Sequence, residues 1–96
     1  MGASYGEQGR TDDSITAYRQ ATKIHPNAPI AWFILGREND KYGRTDDAIA
    51  AYRQAIKIEP DFAEAWYGLG MAYGKMRRSE ESREAYEQAR KLKKLF

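Results

Sequence analysis

The stretch GRTDDAIAAYRQAIKIEP, residues 43–60, decides the reading of this chain, because residues 9–26 (GRTDDSITAYRQATKIHP) match it at 14 of 18 positions. A third, more diverged copy follows at residues 77–94 (RRSEESREAYEQARKLKK). Tyr18, Tyr52 and Tyr86 fall 34 residues apart, Trp32 recurs as Trp66, and Gly36 recurs as Gly70. A fixed period of this length marks one supersecondary unit stacked on itself, since a single unit cannot bury its own apolar face.

Each unit reads as two helices. In residues 29–42, Trp32, Leu35 and Gly36 share one helical face, and Pro29 suits a first helical position. Gly43 supplies a left-handed stop, and Thr45 is the expected N-cap of a second helix over 46–58. Ala48, Tyr52, Ala55 and Ile56 form its apolar stripe. Pro60 ends it, and Asp61 with Glu64 reads as a capping box for the next helix. The units run over about 1–26, with a truncated first helix, then 27–60 and 61–94, within one domain over 1–96.

These residues resemble the tetratricopeptide repeat (TPR) family, whose pattern W-x2-L-G-x2-Y…A-x3-F…P is met by Trp66, Leu69, Gly70 and Tyr73 and by Ala48, Tyr52 and Pro60, with Tyr for Phe. The resemblance implies an all-α right-handed solenoid of about two and a half repeats. Gly36 and Gly70 would let paired helices cross closely, and the large aromatics would fill the wedges between them. Asn39 stands where the pattern wants an aromatic, which predicts either an exposed or a hydrogen-bonded spot. Ser14 and Ser82 replace the small Ala. No polar capping helix follows the third copy, so a fragment of a longer array, or a chain that covers its ends by self-association, is expected.

Composition narrows the function. Hydrophobic content of 42% with 31% charged residues is that of a globular chain rather than a disordered one. The net charge of +2 is too weak to imply a polyanionic partner, and neither nucleic acid nor membrane is expected as one. With no cysteine, disulfides and thiolate metal sites are excluded, and a reducing, cytoplasmic setting is expected. No apolar run approaches the ~20 residues of a membrane span.

The resemblance places first helices on the concave face. Residues about 140° from the Trp32–Leu35–Gly36 face, at ~100° per residue, then form one strip. The strip comprises Ile30, Phe33, Arg37, Asp40 and Lys41, one period later Glu64, Tyr67, Met71, Gly74 and Lys75, and from the first copy Ala3, Gly6 and Glu7. Phe33, Tyr67 and Met71 are large apolar groups that packing inside the repeat does not demand, and such groups suit adaptable contact surfaces. Arg37, Lys41 and Lys75 would orient a peptide by charge. The bland alternative is that these side chains pack across adjacent helices. The family's carboxylate clamp is not matched: the corresponding places carry Phe33, Ile34, Arg37, Glu64, Gly68 and Met71, of which only Arg37 fits. Gly68 and Gly74 also face this strip, and each costs about 1 kcal/mol against Ala in a helix, so alanine at either is expected to stabilise.

Other candidates read as structural. The acid pairs Asp12–Asp13, Asp46–Asp47 and Glu80–Glu81 open helices, where negative charge complements the dipole. His25 has no second ligand or nucleophile near it in sequence, so no catalytic residue, metal or cofactor is assigned. Residues 77–96 carry seven Lys or Arg against four Glu, a charge that suits a helix C-terminus in solvent. Tyr86, Ala89, Leu92, Leu95 and Phe96 form a terminal apolar stripe open to self-association. The expected function is a non-enzymatic module that presents a groove to a protein or peptide segment. The alternatives are an end-to-end assembly element forming a homo-oligomer, or a targeting domain of a larger protein.

Overall fold

The computed structural model describes residues 14–93, which form five helices. Residues 14–24 make α1, followed by α2 (Pro29–Lys41), α3 (Thr45–Ile58), α4 (Ala63–Lys75) and α5 (Ser79–Lys93). The fold is an all-α solenoid. Helices α2 and α3 form one hairpin, α4 and α5 the next, and α3 packs on α4 to join them. Along the stack α2 also touches α4, whereas α3 and α5 do not meet. First helices therefore converge and second helices splay, which curves the stack with α2 and α4 inside. Between α3 and α5 the splay leaves an outer cleft of about 770 Å³, with Trp66 and Leu69 on its floor and Arg53, Lys57 and Glu84 on its walls. None of the helices among the described residues is long and apolar enough to cross a membrane.

The core repeats as the sequence does. Ala48, Ile49, Tyr52, Leu69, Ala72, Tyr73 and Ala85 form the main cluster, with Trp66 and Ile56 packed against it. Ile15, Leu35 and Ala51 form its counterpart one repeat earlier, with Trp32 and Tyr18. Both tryptophans carry a further duty. The Trp32 indole N–H donates to the Pro26 carbonyl at 2.9 Å, and that of Trp66 donates to Pro60 at 2.8 Å. Each indole thereby ties a first helix to the turn before it while its ring fills the wedge.

Helix ends follow the sequence only in part. Both α2 and α4 close in a Schellman motif. Arg44 N–H donates to Asn39 O at 2.8 Å and Gly43 N–H to Asp40 O at 3.1 Å; Arg78 and Arg77 repeat this on Tyr73 and Gly74 at 2.9 and 3.1 Å. The expected left-handed stop is present at Gly43, with φ 82°, but its counterpart in the next repeat is Arg77, at φ 60°. A side chain at positive φ strains the backbone, so Arg77→Gly is expected to stabilise the fold by about 1 kcal/mol. A urea titration that finds the variant no more stable than the parent would refute this.

The expected N-caps do not form. Helix α3 starts at Thr45 itself with Arg44 as N-cap, and α4 starts after Phe62; neither has a side-chain cap hydrogen bond. Thr45 already has helical backbone, and Asp61 lies one residue too early to cap. The substituted small residues have clear consequences. Ser82 is buried and its hydroxyl donates to the Gly70 carbonyl at 2.7 Å, locking α5 to α4. Asn39 is 2% exposed; its Nδ2 donates to Leu35 O at 3.0 Å, but its Oδ1 is buried without a partner among the described residues.

Candidate functional site: the concave groove

The concave side carries a pocket of about 180 Å³ between α2 and α4, lined by Phe33, Arg37, Tyr52, Glu64, Tyr67, Gly68, Met71 and Lys93. Five of these belong to the strip expected from helical angle: Phe33, Arg37, Glu64, Tyr67 and Met71. Tyr67 is 50% exposed and Met71 also stands in solvent. Phe33 is half-buried, with its ring 5.9 Å from Tyr52 and 5.1 Å from Phe62, so it serves both the core and the groove wall. The Arg37 guanidinium lies 5.9 Å from the Phe33 ring centroid, a cation–π distance that holds its charge over the pocket rim. Tyr67 is braced from behind by the edge of Tyr86, with centroids 5.3 Å apart.

The rest of the strip goes elsewhere. Ile30 is exposed but faces a separate hollow with Phe62, Asp61 and Glu64. Lys75 is engaged by Asp40, Nζ to Oδ1 at 3.0 Å, an ion pair that links α4 to α2 across the repeats. Lys41 places its ammonium 5.7 Å from the Tyr42 ring, outside the pocket. The positive charge at the pocket therefore comes from Arg37 and Lys93, not from Lys41 and Lys75. Residues of the first copy expected in the groove lie outside the described residues.

Two lining residues, Lys93 and Tyr52, escaped the helical-angle argument, whereas Gly68 was expected to face the strip. Lys93 ends α5, which runs antiparallel to α4, so it arrives beside Glu64 at the α4 start. Tyr52 was assigned wholly to the core, yet its ring passes through the gap between α2 and α4. The gap exists because of two glycines. A Cβ at Gly36 would sit 2.9 Å from the Tyr52 ring, and one at Gly68 would sit 2.7 Å from its Cζ. Gly68 is thus a wall that admits Tyr52, which overturns the expectation that alanine would stabilise there. At Gly74 a Cβ would meet only Ser82 Oγ at 3.5 Å, an ordinary contact. Burial pushes the Tyr52 phenol up to about 12, with the Asp40 charge adding and Arg37 opposing, so at neutral pH it is a hydrogen-bond donor and not an anion.

The terminal stripe is also rearranged. Ala89 is 3% exposed and Tyr86 packs on Gly70, so both are covered by α4 of the same repeat. Tyr86 and Leu92 are half-buried, while Leu95 and Phe96 lie outside the described residues. Of the acid pairs, Asp46–Asp47 and Glu80–Glu81 occupy the first turns of α3 and α5, and Glu81 pairs with Arg78 at 3.0 Å.

Comparison with known proteins agrees with this architecture. A family model described as TPR repeat matches residues 2–37 and 41–76, and one described as tetratricopeptide repeat matches 63–94. No curated protein matches the chain by sequence. A crystal structure of MamA is 26% identical with a TM-score of 0.85, covering 97% of this chain and 54% of that one. The first TPR of Spaghetti (RPAP3), solved bound to the HSP90 peptide SRMEEVD, is 21% identical with a TM-score of 0.84, covering 95% of this chain and 72% of that one. The chain thus spans about half the length of the MamA structure it resembles. With the period, the curvature, the indole-to-turn bonds and the family models all in agreement, the chain belongs to the tetratricopeptide repeat family.

Proposed function

We propose that the chain is a non-enzymatic interaction module whose concave groove holds a segment of another polypeptide. The observation that carries this reading is the exposed Tyr67–Met71 surface beside the half-buried Phe33, with Arg37 at the rim. Large aromatic groups held rigid at a concave surface cost little entropy to dock against, and such groups dominate binding energies. The peptide bound by the RPAP3 repeat domain supports the idea that this fold can accept a polypeptide segment. Peptides selected from a displayed library against the parent protein are expected to lose about 1–2 kcal/mol of affinity when Tyr67 or Phe33 becomes alanine, measured by calorimetry. Selected peptides that bind both variants as well as the parent would move the site elsewhere.

A second reading, self-association, rests on the unequal surroundings of two equivalent tyrosines. Tyr52 lies between Gly36 of its own repeat and Gly68 of the next and is fully buried, whereas Tyr86 has Gly70 and Tyr67 but stays half-buried. A second copy stacking on α5 would complete its burial. Light scattering over a concentration series is the check: a mass that stays monomeric throughout removes this reading.

A further inference from the structure

The groove pocket is more specific than a general contact surface. We propose that it is an anchor subsite for one ring-sized apolar side chain of an internal partner segment, with a carboxylate next to that side chain held by Arg37 and Lys93. This rests on the groove reading above and narrows it to a class of partner.

Size gives the first argument. The pocket measures about 180 Å³, close to the ~150 Å³ of a cavity that accepts one benzene ring, so it fits a Phe or Leu side chain and little more. Its walls are the Phe33 and Tyr67 rings and the Met71 thioether, which suit an apolar or aromatic guest.

Charge gives the second. Arg37 and Lys93 both line the pocket, and neither is ion-paired among the described residues, whereas Lys75 is already held by Asp40. Among the described lining residues Glu64 is the one acid, so the rim carries two cations against one anion there. A carboxylate beside the anchor meets the guanidinium and ammonium, while a basic residue there meets like charge.

The third argument is an unused polar group. Tyr52 is 1% exposed and lines the pocket, and its hydroxyl has no hydrogen-bond partner among the described residues. The phenol opens onto the pocket and can donate to a carbonyl of the incoming segment. Of the positions that form the family's terminal-carboxylate clamp only Arg37 fits, so the acid proposed here is a side chain of an internal segment.

The test uses the 96-residue chain and fluorescent nine-residue peptides, acetylated and amidated, with a central pair Phe-Glu, Ala-Glu, Phe-Ala or Phe-Lys in a Gly/Ser background. Phe-Glu is expected to bind about tenfold more tightly than Ala-Glu or Phe-Lys by fluorescence anisotropy. Tyr52→Phe, which keeps the ring, should leave the thermal midpoint unchanged and weaken Phe-Glu about three- to tenfold. Arg37→Glu with Lys93→Glu should reverse the preference from Phe-Glu to Phe-Lys. Equal binding of Phe-Glu and Ala-Glu, or a preference untouched by the charge reversal, overturns the anchor. If library-selected peptides lose affinity in Tyr67→Ala while none of the defined probes binds, the groove reading stands and the anchor falls. If Tyr67→Ala changes no binding at all, both fall.

Discussion

Tyr52→Ala is expected to lower the unfolding free energy by about 3–5 kcal/mol, the largest effect of any single side chain in the described core. Tyr52 is 1% exposed and belongs to the main cluster with Ala48, Leu69 and Ala72. Its ring lies against Gly36 of its own repeat, Gly68 of the next, and Phe33. Removing it opens a void that two repeats share, and neither can close it, because the glycines that frame the ring have no side chains to move inward. Interfaces between neighbouring units hold a solenoid together, so this loss also uncouples the repeats. Tyr86→Ala, at the equivalent place one period later, should cost distinctly less, since Tyr86 is only half-buried. Urea unfolding followed by helical circular dichroism distinguishes them. Equal losses for the two tyrosines would mean that Tyr52 is not a joint between repeats.

The same residues show where sequence reasoning succeeded and why it stopped. Period and helix number were legible because Gly43, Pro60 and the Trp–Leu–Gly faces recur with the unit itself, whereas the inner placement of first helices was implied by the resemblance to the repeat family. The strip drawn by helical angle includes Phe33, Arg37, Glu64, Tyr67 and Met71 of the pocket lining, since their direction depends on one helix at a time. Tyr52 and Lys93 were missed because they reach the groove from second helices, and an angle measured on first helices cannot include them. The ion pair of Lys75 was not legible for a related reason: its partner Asp40 is 35 residues away, and only the curvature brings α2 and α4 together. The caps failed at the finest scale, where a shift of one residue separates Asp61 or Thr45 from the position that would accept the first helical N–H. Asn39 met the second of its expected outcomes, being buried and hydrogen-bonded through its nitrogen, while its oxygen has no partner among the described residues.

Gly68 and Gly74 give the second large prediction, because alanine should act in opposite directions at two glycines six positions apart on one helix. Helix propensity favours both replacements by about 1 kcal/mol. At Gly74 the new methyl meets only Ser82 Oγ at 3.5 Å, so that gain is retained and the variant is more stable. At Gly68 the methyl would lie 2.7 Å from Tyr52 Cζ and 2.8 Å from Cε1. The ring cannot swing away, since its other end is held at Gly36, where the corresponding approach is 2.9 Å. Either α2 and α4 separate or the ring leaves its preferred rotamer, and overpacking of this kind costs about 1–3 kcal/mol, enough to outweigh the propensity gain. The cause is checked by a double-mutant cycle: in a Tyr52→Ala background the clash is gone, so Gly68→Ala should become neutral or stabilising. An unchanged cost in that background would place the strain in the helix backbone and not against the Tyr52 ring, and a stabilised Gly68→Ala single variant would mean that α2 and α4 separate without penalty.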